Sequence, residues 1–188
     1  MSVKAAILLA EGFEEAEAVI VIDVLRRLDI TIETLACQPS RQVNSYHHIV
    51  MQADALLSER ADTLYDAIIL PGGPDGTVNL AANPQVIAMI KQHDQQQKLI
   101  CPLCSAGARV LAGNQLLKGR RYVCSGDLWQ QYDDGVYVDA IIVEDGNLFS
   151  GQGLGVAFDF AFAIAKRLTG DTERVDFQAR HIYHATAG

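Results

Sequence analysis

The sequence predicts an α/β fold in which a mostly parallel central sheet is covered by helices on both faces. Short apolar runs, each long enough for one strand, alternate with amphipathic stretches of helical periodicity along the chain. Most of these runs are nearly continuous, as in strands that are buried on both faces. We expect the 188 residues to form a single domain, 1–188, because no linker, repeat or low-complexity segment interrupts the pattern.

The first half of the chain carries most of the predicted strands. In order, they and their helix are Val3–Leu9, a helix from about Glu14 to Leu28, Ile30–Cys37, His48–Gln52 after a polar turn region at 38–45, and Tyr65–Leu70. Pro71-Gly72-Gly73 closes the last of these strands, and no helix is predicted directly after it.

The second half is richer in helices. Asn83 and Pro84 are typical of an N-cap and first helical position, and they predict a helix over about 84–93. The remaining predicted elements are a strand ending at Cys104, a helix to about Ala112, a hairpin of Val136–Val143 and Asn147–Ser150, a helix at Leu154–Leu168 ended by Gly170, and a last helix to about Ala179.

Composition excludes several classes of protein. The net charge of −8 argues against nucleic acid or an anionic membrane as the main partner. The apolar segment near the N-terminus is too short to span a membrane and lacks a cleavage-site pattern, so we expect no signal peptide. Four dispersed cysteines fit a reducing compartment, the cytoplasm, better than a disulfide scaffold.

Cys104 is the best nucleophile candidate in the chain. An apolar strand run ends on it, and small residues then lead into a helical pattern, which leaves room for a sharp strand-to-helix turn. A thiol at such a helix N-terminus lies near unpaired backbone N–H groups that favour the thiolate. The alternative is a small buried thiol, because free cysteine is among the most buried residue types.

Glu17 is the second candidate. At 100° per residue it lies within about 60° of Ile20, Val21 and Val24, so it projects from the apolar face of its predicted helix, with Glu15 on the opposite side. Burial raises a carboxyl pKa and favours a protonated form that can donate a hydrogen bond to a thiolate. The alternative is an ordinary acidic residue near a helix start, where the helix dipole favours it.

The glycines of Pro71-Gly72-Gly73 are candidates for an oxyanion hole. Gly72 and Gly73 expose backbone N–H groups without side chains in the way, although a plain turn at the end of a strand has the same composition. In an open α/β sheet, functional sites form at the carboxyl ends of the strands. The segment after the first strand, the glycine turn and Cys104 all lie at such ends.

Other chemistries have weaker support. Cys101 and Cys104 match a CxxC redox motif in letters, but on one strand their Cα atoms would lie about 10 Å apart, beyond the reach of a disulfide. Four metal ligands are not evident, so we expect no metal and no cofactor. The five histidines are interpreted as surface residues, with His47 the best candidate to reach the strand-end site.

These motifs together resemble the DJ-1/ThiJ/PfpI superfamily of class I glutamine amidotransferase-like proteins, and its DJ-1/ThiJ branch in particular. The segments that carry the resemblance are Glu11–Glu17, Leu70–Gly73, Ile100–Leu111 around Cys104, and Gly151–Gly155 before an apolar helix. The resemblance implies a flavodoxin-like three-layer sandwich, a homodimer and a reactive cysteine on a nucleophile elbow. Cys104 would be that cysteine, Glu17 its protonated partner, and Gly72, Gly73 and Ser105 the surrounding backbone donors.

The sequence also departs from the family pattern. Ser105 follows the cysteine where the proteolytic branch has histidine, which argues against peptidase activity. Ser125 stands about where the DJ-1 branch places an assisting histidine, and Gln152 matches a family arginine. Both departures weaken the expectation of the usual proton relay.

Three functions follow as hypotheses. In the first, Cys104 attacks a small reactive carbonyl or its protein adduct, in a glyoxalase-like or deglycase-like reaction with Glu17 as the proton partner. In the second, the protein is a non-enzymatic oxidative-stress sensor or chaperone whose Cys104 is oxidised to sulfinic acid. A thiol–disulfide protein using Cys101 and Cys104 is the third.

Overall fold

A computed structural model describes residues 2–185 and confirms the α/β prediction. The strands are β1 Lys4–Leu9, β2 Thr31–Ala36, β3 Gln42–Asn44, β4 Val50–Gln52, β5 Ala55–Leu56, β6 Ala67–Leu70, β7 Leu99–Pro102, β8 Arg121–Tyr122, β9 Val136–Tyr137, β10 Ile142–Asp145 and β11 Leu148–Gly151. The helices are α1 Glu15–Arg27, α2 Pro74–Ala82, α3 Pro84–Gln95, α4 Ala157–Thr169 and α5 Thr172–His181.

Seven strands form the central sheet in the order β10-β11-β7-β6-β1-β2-β5. All neighbours pair in parallel except β10 and β11, which form an antiparallel hairpin at one edge. Two small sheets, β3 with β4 and β8 with β9, lie outside it. The predicted mostly parallel sheet is therefore confirmed.

Helices cover both faces of the sheet. Because successive side chains on a strand point to opposite faces, Ile7 packs into one core and Leu8 into the other. The first core contains side chains of α1, α4 and α5, and the second contains side chains of α2 and α3. This is the predicted three-layer sandwich. Within residues 2–185, no helix combines the length and the apolar character that crossing a membrane requires.

Several element predictions differ from the structure. The helix α2 was not predicted, since Pro74 and Gly76 are typical of a turn, but Pro74 occupies the first turn of α2, where its missing N–H costs nothing. The predicted helix after Cys104 is a wide π-type turn, Gly107–Leu111. The predicted strand Val136–Val143 is divided between β9 and β10, which pair with different partners.

The carboxyl ends of β1, β6 and β7 meet at one edge of the sheet, as predicted. Backbone hydrogen bonds join the three following loops: the Glu14 N–H donates to Gly72 O at 2.9 Å, and the Leu103 N–H donates to Leu70 O at 2.9 Å. On the other side, the Cys104 N–H donates to Gly151 O at 3.0 Å. The loops are thereby held in a fixed relation around Cys104.

The start of α2 packs closely on the loop after β1, and this contact gives a prediction. A Cβ at Gly76 would lie 2.7 Å from the Phe13 Cα and 2.8 Å from its N, whereas a Cβ at Gly155 would meet nothing within 4 Å. We expect Gly76→Ala to lower the free energy of unfolding by about 2 kcal/mol, because backbone must move. Gly155→Ala, the matched control, should change it by less than about 0.5 kcal/mol in urea unfolding. Equal effects would contradict the close packing.

Candidate active site

Cys104 lies on a strained turn between β7 and the π-type turn that follows. Its φ is +59°, in the left-handed region that side chains other than glycine rarely adopt. Three backbone hydrogen bonds hold this segment: those of the Leu103 and Cys104 N–H groups, and one from the Ser125 N–H to Cys104 O at 3.2 Å. The turn presents the Cys104 side chain, which is half-buried, at the carboxyl edge of the sheet.

Glu17 lies in the first turns of α1 and is completely buried. Its Oε1 accepts a hydrogen bond from the Gly72 N–H at 2.9 Å, and the carboxyl lies beside the Cys104 thiol, since a Cβ on Gly72 would come within 2.6 Å of Glu17 Oε1 and 3.1 Å of Cys104 Sγ. Its Oε2 is buried and has no hydrogen-bond partner within the described residues. Burial raises the pKa of Glu17 to about 7, against the lowering effect of the Gly72 and Cys104 contacts. The structure thus brings together Glu17 and Cys104. The helical phase predicted the burial of Glu17, and the family resemblance implied its pairing with Cys104.

The Cys104 thiol is more basic than the sequence suggests. Burial, followed by the negative charge of Glu17, raises the pKa of Cys104 to about 11, although hydrogen bonds from Ser125 and from the Ser105 backbone lower it. The expected thiolate-favouring helix N-terminus is weaker than predicted, because the residues after Cys104 form an irregular turn rather than a regular α-helix. Near neutral pH the thiol therefore keeps its proton, and the carboxyl is the group that gains or loses one.

Gly72 is essential to this contact for a steric reason. A Cβ at this position would lie 2.6 Å from Glu17 Oε1 and 3.1 Å from Cys104 Sγ. Its N–H donates a hydrogen bond to Glu17. The prediction that the Gly72 N–H is an oxyanion donor is therefore wrong, and its role is to hold the carboxyl. Gly73 adopts a φ of +106°, and its Cβ would lie 2.5 Å from Gly12 O.

Ser105 follows Cys104 in the chain, and its backbone N–H lowers the pKa of the Cys104 thiol. Its hydroxyl lies 3.1 Å from Thr77 Oγ1 and 3.4 Å from Gly73 O. The Thr77 hydroxyl in turn donates to Gly73 O at 2.7 Å. The fully buried Thr77 thus ties α2 to the turn at Cys104. No pattern in the sequence indicates Thr77 as a site residue, because the composition of the helix that carries it is typical of a turn.

The histidines lie away from Cys104. His93, predicted to be at the surface, is buried, and its Nε2 accepts a hydrogen bond from the Tyr65 N–H at 2.9 Å. His47 lies 2.7 Å from Glu15 Oε1, and Glu15 is buried rather than exposed as its helical phase predicts. Potential metal-ligand atoms of Glu14, Glu15 and His47 all lie within 4.8 Å of one another. The pairing of His47 with Glu15 accounts for this cluster without a metal ion.

Cys101 is fully buried in the middle of the sheet, within β7. Burial raises the pKa of its thiol well above the usual range. The chain stays extended from Cys101 to Leu103, which forms a bridge to Gly151. Three extended residues span about 10 Å, so Cys101 is out of disulfide reach of Cys104. This geometry disfavours the dithiol hypothesis.

The raised pKa of Glu17 gives a stability prediction. The folded state binds this proton more tightly than the unfolded state, in which the pKa is near its ordinary value of 4.5, so the stabilisation is full below about pH 4.5 and is lost as the pH rises through about 7. Glu17→Gln carries no charge. We therefore expect urea unfolding to show that wild type loses on the order of 3 kcal/mol relative to Glu17→Gln between about pH 4 and about pH 8. Parallel pH dependences of the two proteins would contradict the assignment.

Known proteins show the same fold and sequence features. The model of the DJ-1/PfpI family matches residues 3–167. A structure of a cysteine-to-alanine mutant of a DJ-1 superfamily protein from Salmonella typhimurium is 61% identical, covers 99% of this chain and 100% of that one, and has a TM-score of 0.97. The Glutathione-independent glyoxalase DJR-1.2 of Caenorhabditis elegans is 29% identical, with 85% of each chain covered.

A plant relative differs in length. Protein DJ-1 homolog B of Arabidopsis thaliana is 32% identical over 86% of this chain, but the match spans only 37% of the plant protein. The chain thus covers less than half of that relative, whereas it matches the Salmonella structure from end to end. The match of the family model over most of the sequence shows that the chain belongs to the DJ-1/PfpI family.

Proposed function

We propose that this protein acts on small reactive carbonyls, or on their protein adducts, through Cys104 with Glu17 as its proton partner. The observation that carries the proposal is the buried Glu17 carboxyl, which is held by the Gly72 N–H and lies beside the Cys104 thiol. A carboxyl whose pKa is raised to about 7 takes up and releases a proton at neutral pH, as a general acid–base catalyst must.

The first step is addition of the thiol to an aldehyde carbon. Glu17 takes the thiol proton, a bond forms between Cys104 Sγ and the carbonyl carbon, and the C=O π electrons move to oxygen. The backbone N–H groups of Gly73 and Ser105 are the proposed donors to that oxygen. The Gly72 N–H is held by Glu17, whereas the Ser105 N–H, which favours the Cys104 thiolate, becomes available once the sulfur gives up its negative charge to carbon. Glu17 then returns its proton to the oxygen, which gives a neutral hemithioacetal.

The free energy of proton transfer from Cys104 to Glu17 is small enough for an enzymatic reaction. Moving a proton from a thiol of pKa about 11 to a carboxylate of pKa about 7 costs at most about 5 kcal/mol. The true cost is lower, because the repulsion between the thiolate and Glu17 disappears once Glu17 is protonated. A turnover of about 10 per second corresponds to a barrier near 16 kcal/mol, so this step fits within an ordinary enzymatic barrier.

A 2-oxoaldehyde allows the reaction to continue. The Glu17 carboxylate removes the proton from the carbon that bears sulfur, which gives an enediol as the neighbouring carbonyl oxygen takes up a proton. Glu17 then returns its proton to the neighbouring carbon while the hydroxyl on the sulfur-bearing carbon loses its proton and becomes a C=O, so the hemithioacetal is converted into a thioester of a 2-hydroxy acid. Water then hydrolyses the thioester and restores the thiol, with no net oxidation and no cofactor. The C. elegans relative, a glutathione-independent glyoxalase, supports this class of reaction.

A second candidate function is oxidation sensing at the same cysteine. The observation that favours it is the unpartnered, buried Oε2 of Glu17, which offers a hydrogen-bonding site beside the sulfur. The Cys104 thiolate would attack a hydroperoxide, forming an S–O bond as the O–O bond breaks, and a second hydroperoxide would give the sulfinic acid. Glu17 in its protonated form would then donate a hydrogen bond to a sulfinate oxygen.

We also propose a homodimer in a reducing, cytoplasmic setting, with no nucleic-acid or membrane partner. Apolar side chains of α1 and of the β3–β4 hairpin, including Val19, Ile49 and Val50, are about half exposed, as at a surface that another copy covers. All four cysteines are free, which fits a reducing compartment, and the net charge of −8 disfavours anionic partners.

The carbonyl proposal predicts cysteine-dependent consumption of methylglyoxal. We expect Cys104→Ser to reduce turnover at least about a hundredfold, because a serine hydroxyl is a far weaker nucleophile, with lactate formation as the measurement. Cys37→Ser is the matched control: its thiol is also half-buried, but it lies at the end of β2, and it should keep nearly full activity. Equal turnover by wild type and Cys104→Ser would refute the enzymatic proposal.

The sensing proposal predicts oxygen uptake at one residue. After mild peroxide treatment, peptide mass spectrometry should find two added oxygen atoms on Cys104 and none on Cys101, whose thiol is fully buried. Glu17→Ala should shift the product toward sulfonic acid, because the sulfinate loses its hydrogen-bond donor. Absence of oxidised Cys104 in wild type would rule out this candidate. A loss of two hydrogens that Cys101→Ser abolishes would instead revive the dithiol hypothesis.

A further inference from the structure

We infer that the Ser125 hydroxyl is a working part of the reactive site: it donates a hydrogen bond to the Cys104 sulfur and stabilises its anionic, nucleophilic form. The inference rests on the proposed function only in taking Cys104 as the reacting group. It assigns a role to the position at which the sequence departs from the family pattern.

Ser125 is placed at the sulfur by its backbone. Its N–H donates to Cys104 O at 3.2 Å, so the two residues are neighbours across the turn, and the Ser125 side chain lies close enough to lower the pKa of the Cys104 thiol. The Glu17 carboxyl lies beside the same sulfur, since a Cβ on Gly72 would come within 2.6 Å of Glu17 Oε1 and 3.1 Å of Cys104 Sγ. The sulfur is therefore flanked by one group that titrates and one hydroxyl that stays neutral.

The segment that carries Ser125 is itself firmly held. The Val123 N–H donates to Ser150 Oγ at 3.0 Å, and the buried Ser150 hydroxyl donates to Val143 O at 3.2 Å. Cys124, between Val123 and Ser125, is fully buried. The hydroxyl thus belongs to a preorganised site, which is what a group that stabilises a developing charge requires.

The Glu17 carboxyl and the Ser125 hydroxyl affect the Cys104 sulfur in different ways. The charged carboxylate of Glu17 repels a thiolate, and only its protonated form can donate to the sulfur. The Ser125 hydroxyl can donate to the thiolate at any protonation state of Glu17. The other titratable groups near the pair are Glu14, whose charge acts on Glu17, and Cys124, whose thiol burial keeps neutral. Ser125 therefore favours the thiolate without adding an ionisation of its own.

The test is the pH dependence of Cys104 alkylation by iodoacetamide, followed by peptide mass spectrometry so that Cys37 does not contribute. Loss of one hydrogen bond to a charged sulfur should slow Ser125→Ala about tenfold near pH 8 and move the ionisation of Cys104 upward by about one pH unit. Ser125→Thr keeps a hydroxyl and should retain the wild-type profile within about twofold. Circular dichroism and urea unfolding check that each variant is folded.

The outcomes separate this inference from the proposed function. A slower, upshifted Ser125→Ala with a wild-type-like Ser125→Thr supports it, whether or not the protein turns over methylglyoxal. If folded Ser125→Ala alkylates as fast and with the same pH profile as wild type, the inference is wrong, even if methylglyoxal turnover depends on Cys104. Equal slowing of both variants without a shift of the profile would indicate a purely structural role and would also overturn it.

Discussion

The site depends on one interaction, the contact of a fully buried carboxyl with a backbone N–H and a thiol. Within the described residues no cation balances a charge on Glu17 and its Oε2 has no partner, so burial, aided by the negative charge of Glu14, gives it a high affinity for a proton. The Gly72 N–H fixes the orientation of the carboxyl. Since any side chain at Gly72 would collide with both Glu17 and Cys104, the absence of a Cβ there is what permits the three groups to meet.

The fold supplies this contact through parallel topology. Because β1, β6 and β7 run in parallel and adjacent to one another, their carboxyl ends deliver α1, the glycine turn and Cys104 to one edge of the sheet. The positive φ of Cys104 stores strain that local hydrogen bonds to Gly151 and Ser125 offset. The reactive side chain is thereby fixed by backbone, while its protonation state is set by burial.

The sequence predicted the parts of this arrangement that local periodicity determines. The phase of Glu17 on its helix, the apolar strand before Cys104 and the small residues after it all carry local signals. The contacts that refine the site are non-local. Ser125 follows a two-residue strand that has no periodicity to detect, and Thr77 lies on α2, whose Pro74 and Gly76 are typical of a turn. The N–H of Gly72 donates to Glu17, which lies 55 positions away in the chain, so no local spacing could have predicted this hydrogen bond.

The lack of a histidine at Cys104 restricts the chemistry in an informative way. In carbonyl addition, a single carboxyl takes the thiol proton and later returns it, so its protonation state is the same at the start and end of each cycle. Such a reaction needs one titrating group, and Glu17 has a pKa near neutral that suits both transfers. A hydroxyl in the place of histidine then has a different task. In the proposed mechanism it stabilises charge on sulfur and leaves proton transfer to Glu17, so the carboxyl and the serine at position 125 have separate roles.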